Sequence, residues 1–169
     1  MEIRSICHLK IILPLSLILS CSINKGELKV KECEILYLQD KLNESAVCCL
    51  SIGEKAYFLF AMILADKGYY SKAKEIVEEN IFLNSKLGHF VMGYIYYREG
   101  EIELAEKELL VAEKEGMKNP HLYLLLSIIY ADKCKKNEAI FYENKLKETL
   151  KNPDLELFKI EEVLKRCSH

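Results

Sequence analysis

Small residues recur at a fixed interval through the middle of this 169-residue chain. Ala61, Gly93 and Ser127 follow one another by 32 and 34 residues, and Ala73, Ala105 and Ala139 by the same two steps. Each set carries the same companions in order: Tyr57, Phe60, Leu64 and Gly68; then His89, Met92, Tyr96 and Gly100; then Tyr123, Leu126, Tyr130 and Cys134. Such a period marks a supersecondary unit that buries its apolar face by stacking on copies of itself. A small residue on each helix of a unit lets the two backbones approach closely, and the tyrosines fill the space between units. Gly68 and Gly100 stand where a first helix ends, since glycine accepts the left-handed conformation of a helix stop. Cys134 takes that place in the third copy, so a different or strained turn is expected there.

These residues and their spacing resemble the tetratricopeptide repeat, over residues 54–153. The resemblance implies an all-α fold, a solenoid of antiparallel helix pairs closed by a C-terminal capping helix. Helices are expected near 28–42, 44–51, 54–67, 70–82, 86–99, 102–115, 120–133, 136–150 and 154–166. Pro120 opens one of them at a position where its missing N–H costs little. The stretch 28–53 reads either as a degenerate repeat or as an N-terminal cap. Leu155, Phe158, Ile160, Val163 and Leu164, set among Glu and Lys, suit a final helix with one face in water, giving a cap and tail over 154–169. Glu143 falls where a bulky apolar residue is usual, so a shift of register is expected in the last repeat helix.

The N-terminus has a different pattern. Arg4 and Lys10 precede an apolar run of nine residues, Ile11 to Leu19, and Ser20-Cys21 follow at once. A membrane-spanning helix needs roughly 20 residues, and Pro14 interrupts this one. The order of charge, apolar run, small residue and cysteine resembles a bacterial lipoprotein signal peptide. The resemblance implies cleavage after residue 20, acyl chains on Cys21, a short tether over 21–27, and a lipid-anchored place on the cell membrane or outer membrane, facing away from the cytoplasm. Without residues 1–20 the chain keeps 22 basic and 25 acidic side chains, a net of −3. With no basic stripe, nucleic acid is not an expected partner.

Cys33, Cys48, Cys49, Cys134 and Cys167 are scattered, with no CxxC pair and no histidine at ligand spacing. No metal and no cofactor is therefore expected. On helices, cysteine mostly serves as a small apolar filler. Buried free thiols are the leading expectation, and one disulfide is the alternative that an extracytoplasmic place would permit.

In the resembled family the first helix of each pair lines a concave face. Carried over by position, that face holds Lys55, Phe58, Met62 and Asp66, then Leu87, Phe90, Tyr94, Tyr97 and Arg98, then His121, Leu124, Ile128 and Asp132. The candidate partner-binding groove is its apolar and aromatic centre with one edge charge: Phe58, Met62, Phe90, Tyr94, Tyr97, Arg98, Leu124 and Ile128. It suits the apolar side of a helix or an extended peptide segment. Catalysis is not expected. No nucleophile–base order or phosphate loop occurs, His89 falls on a packing position, and His121 opens a helix. The expected function is a membrane-anchored scaffold that binds an envelope protein or peptide, with no small-molecule substrate. The alternatives are a surface lipoprotein meeting host or environmental molecules and an accessory subunit of a cell-wall enzyme.

Overall fold

A computed structural model describes residues 25–80, 85–150 and Leu164. Among the described residues the protein is all-helical, without strands. The helices are α1 (Lys25–Leu38), α2 (Leu42–Ile52), α3 (Tyr57–Asp66), α4 (Tyr70–Glu79), α5 (Lys86–Glu99), α6 (Ile102–Lys114), α7 (Pro120–Asp132) and α8 (Lys136–Leu150). The signal peptide, Cys21, residues 21–24 of the tether, the Lys55 side chain, Cys167 and all of the expected capping helix except Leu164 lie outside the described residues. Helix α1 starts inside the segment read as tether. Helix α3 starts at Tyr57 rather than 54, because Gly53–Ala56 forms a 3-10 turn with Gly53 at φ 74°.

One backbone device ends four helices. Asp40, Gly68, Gly100 and Cys134 all have positive φ, between 57° and 92°. At each, two amides turn back onto the helix just ended. Gly68 N–H bonds the Ala65 carbonyl and Tyr69 N–H that of Leu64, and Gly100 and Glu101 do the same to Tyr97 and Tyr96. Asp40 and Lys41 bond Tyr37 and Leu36, and Cys134 and Lys135 bond Ala131 and Tyr130. These are paired C-terminal helix stops that satisfy orphan carbonyls. Cys134 thus keeps the turn its neighbours make with glycine, at a left-handed backbone that disfavours a Cβ.

The shared turn sets a shared register. Five residues beyond it lie Ser45, Ala73, Ala105 and Ala139, each with its N–H on the carbonyl that opens the second helix. All four are fully buried. Twelve residues before them lie Cys33, Ala61, Gly93 and Ser127, also buried. The first helix pair therefore carries the small-residue pattern too, although the sequence comparison places it only in the later three. Each first helix packs chiefly on the second helix that follows it, as α1 on α2, α3 on α4, α5 on α6 and α7 on α8.

Gly93 shows how close the backbones come. A Cβ added there would lie 2.7 Å from Leu109 Cγ and 3.2 Å from the Leu109 backbone nitrogen. Leu109 is fully buried and cannot swing away. Gly93→Ala should therefore destabilise the protein by about 1–2 kcal/mol in a denaturant titration, overpacking outweighing the better helix propensity of alanine. A variant as stable as wild type would mean that α5 and α6 separate freely. In the last pair Glu143 stands in register with Leu109. The expected shift is not found: Ala139 stays fully buried, and Glu143 pairs with Lys147 at 2.9 Å.

The core has two parts. One runs from α3 to α8, and a smaller one joins α1, α2 and α3 through Cys33, Cys49, Ala56, Leu59 and Ile63. Here the leading expectation of free thiols is corrected. Cys33 and Cys48 form a disulfide with their Cα atoms 5.4 Å apart. Cys134 is disulfide-bonded as well, and Cys49 is a free, buried thiol. Facing helices at a close crossing bring two cysteines within bonding distance, a proximity that spacing along the chain does not reveal.

Candidate partner-binding face

The residues read as one groove divide between surface and core. Phe58, Met62, Tyr94, Tyr97, Arg98 and Leu124 are half-buried. Phe90 and Ile128 are 4% and 2% exposed and belong to the core, so neither can meet a partner without rearrangement. Their burial follows from helix rotation: a position that faces the inside of a curve in one repeat is covered in another by larger neighbours. Phe58 and Leu87 also line a shallow apolar cleft between α3, α4 and α5, with Tyr57, Ile76, Val77, Gly88 and Val91.

The polar edge of the face is a cluster centred on Asp66. Tyr37 Oη donates to Asp66 Oδ2 at 2.6 Å, and Tyr94 Oη donates to Oδ1 at 2.5 Å. Arg98 Nε lies 3.1 Å from the same Oδ1. The two hydroxyls are 3.0 Å apart. Two protons serve three oxygen–oxygen contacts, so with both given to the carboxylate the hydroxyl pair is left as a close contact only. Burial, first, and then the Asp66 charge push the Tyr37 hydroxyl far above its ordinary pKa. Tyr94 is raised likewise by burial and by Tyr37 and Asp66, so both remain donors. The cluster ties the end of α1 to α3 and α5. Sequence reading names Asp66, Tyr94 and Arg98 but misses Tyr37, which lies on the helix left out of the repeat alignment.

Elsewhere, side chains link neighbouring helices. Tyr70 Oη donates to the Arg98 carbonyl at 2.9 Å, and Lys74 pairs with Glu99 at 2.5 Å while lying over the Tyr96 ring. Tyr142 stacks on Tyr123 and Tyr130 and donates to Glu113 at 2.8 Å. His89 Nδ1 is 2.7 Å from Glu108, bridging α5 and α6, which makes it a packing residue. His121 is exposed at the start of α7, where its N–H bonds the Asn119 side chain. Among the described residues no group of three His, Cys, Asp or Glu side chains converges as metal ligands would, and no helix is long and apolar enough to cross a membrane.

No protein-family model matches the chain, and neither the curated proteins nor the solved structures yield a match.

Proposed function

We propose that this protein is a lipid-anchored scaffold of the bacterial envelope. In this reading it is a tetratricopeptide-like solenoid of antiparallel helix pairs, held to a membrane through Cys21, that binds a helix or extended segment of another envelope protein. The observation that supports the repeat reading best is the common register of the four helix pairs, with the same left-handed stop and the same two buried small residues in each. Stacked pairs in one register make an extended curved surface, and such surfaces serve binding rather than chemistry. The half-buried Phe58, Met62, Tyr97 and Leu124 supply apolar contact area, and Arg98 supplies an oriented charge at its edge. The leader order ending at Cys21 supports the anchor.

Two measurements test this. Wild-type protein should incorporate labelled palmitate and fractionate with membranes, and Cys21→Ala should do neither. A photo-crosslinking residue placed at Met62 or Leu124 in living cells should give one discrete adduct, while the same residue at the exposed Lys107 of α6 should give none. Palmitate incorporation that survives Cys21→Ala would defeat the anchor. Identical crosslinking from all three positions would defeat the binding face.

A further inference from the structure

Helix α7 is more enclosed than its described neighbours explain. Leu122, Tyr123 and the unbroken run from Leu125 to Ala131 are buried, which covers the whole circumference of the helix. Helix α5 has neighbours on both sides, yet only six of its residues are buried, Gly88, Phe90–Gly93 and Ile95. Among the described helices, α7 contacts chiefly α8 and, more lightly, α6. Something beyond α8 must cover its far side. Leu164 is helical and packs against the core cluster to which α7 belongs. Two residues past the end of α7, Cys134 is disulfide-bonded. Cys33 and Cys48 bond each other and Cys49 is free, so the partner of Cys134 is Cys7, Cys21 or Cys167. Cys167 lies three residues from Leu164, a reach of at most about 10 Å from that contact.

We infer that Cys134 is bonded to Cys167, and that this disulfide latches the C-terminal segment, residues 151–169, over the far side of α7. The inference goes beyond the proposed function and draws on it only for the oxidising surroundings. Formation is two-step exchange with a carrier disulfide. One cysteine thiolate attacks the carrier to give a mixed disulfide, and the second thiolate then displaces the carrier sulfur. The carrier leaves as a dithiol with two electrons and two protons. While the bond holds, the α7 end of the array is closed, and a partner is confined to the surface of α3 and α5.

The test uses the purified full chain, blocked with N-ethylmaleimide without reduction and cleaved after glutamate. Mass spectrometry should find residues 116–138 joined to 163–169, two hydrogens lighter than the separate peptides. Cys134 joined to a peptide carrying Cys7 or Cys21, or found blocked as a free thiol, overturns the pairing. Cys134→Ser and Cys167→Ser should each speed amide exchange in α7 by about tenfold or more, as expected when a covering segment opens locally. Unchanged α7 exchange in both variants overturns the latch. Thiol trapping in living cells separates this inference from the envelope reading. If Cys33 and Cys48 are trapped reduced in cells, the envelope reading fails, whereas the linkage in the purified protein still decides the latch.

Discussion

Replacing Asp66 with alanine should cost about 3 kcal/mol and lower the melting temperature by roughly 10 °C. Asp66 receives hydrogen bonds from Tyr37 and Tyr94 and pairs with Arg98, with only 10% of its side chain exposed. Removing it strands two buried hydroxyls and a guanidinium. Breaking a buried pair from one side costs about 3–5 kcal/mol in general. Arg98 keeps 20% of its side chain in solvent and recovers some hydration, which places the loss at the low end of that range. The companion variants separate stranded donors from simple loss of packing. Tyr37→Phe and Tyr94→Phe remove a donor together with its need for a partner, so each should cost about 1 kcal/mol. Adding both to Asp66→Ala should make the protein no less stable than Asp66→Ala alone, a non-additivity that only a shared network produces. A melting temperature for Asp66→Ala within two degrees of wild type would show that the cluster is held by packing and not by its charge.

That cluster also shows which parts of the molecule were legible beforehand. Helix ends marked by strong local chemistry were readable. Ser85 caps α5 through a bond from Gly88 N–H, Gly100 ends it at φ 92°, and the expected bounds of 86–99 hold. Asn119 and Pro120 open α7 in the same way. The end of α1 was placed four residues late because its left-handed stop is Asp40, a residue that marks turns of many kinds. The first pair escaped the repeat alignment because it steps by 28 residues to the next, and its two small positions are filled by Cys33 and Ser45. Ser45 is tolerated in the core because its hydroxyl donates to the Cys33 carbonyl at 2.8 Å, a pairing no pattern of residue types announces. Asp66, Tyr94 and Arg98 were recognisable as one edge, since repeat positions translate into a shared face. Phe90 and Ile128 were named on the same reasoning yet lie in the core, because facing a concave side and being open to solvent are separate properties. Periodicity reports direction along a helix. Exposure depends on the size of whatever lies opposite.

Opening the Cys33–Cys48 disulfide should destabilise the first helix pair by about 3 kcal/mol, the entropy of closing a loop of this length in the unfolded chain. The bond joins residues 15 apart across the α1–α2 crossing. The cluster beneath it is small, five buried residues against a long spine in the rest of the molecule. The loss should therefore be local, an opening of α1 and α2 before α5 to α8 respond. Cys33→Ala with Cys48→Ala is the apt variant, because Ala61 fills the matching crossing in the next pair. Cys49 then serves as a resident probe. Its thiol is 1% exposed, and burial, only partly offset by Ser45, pushes its pKa up to about 11. In the oxidised protein at pH 8 it should resist iodoacetamide until α2 opens. In the double variant, labelling should quicken by about a hundredfold, since each 1.4 kcal/mol lost from the opening equilibrium is a factor of ten. Equal labelling rates with and without the bond would mean that the α3 contacts and the Asp66 cluster suffice to hold the pair closed.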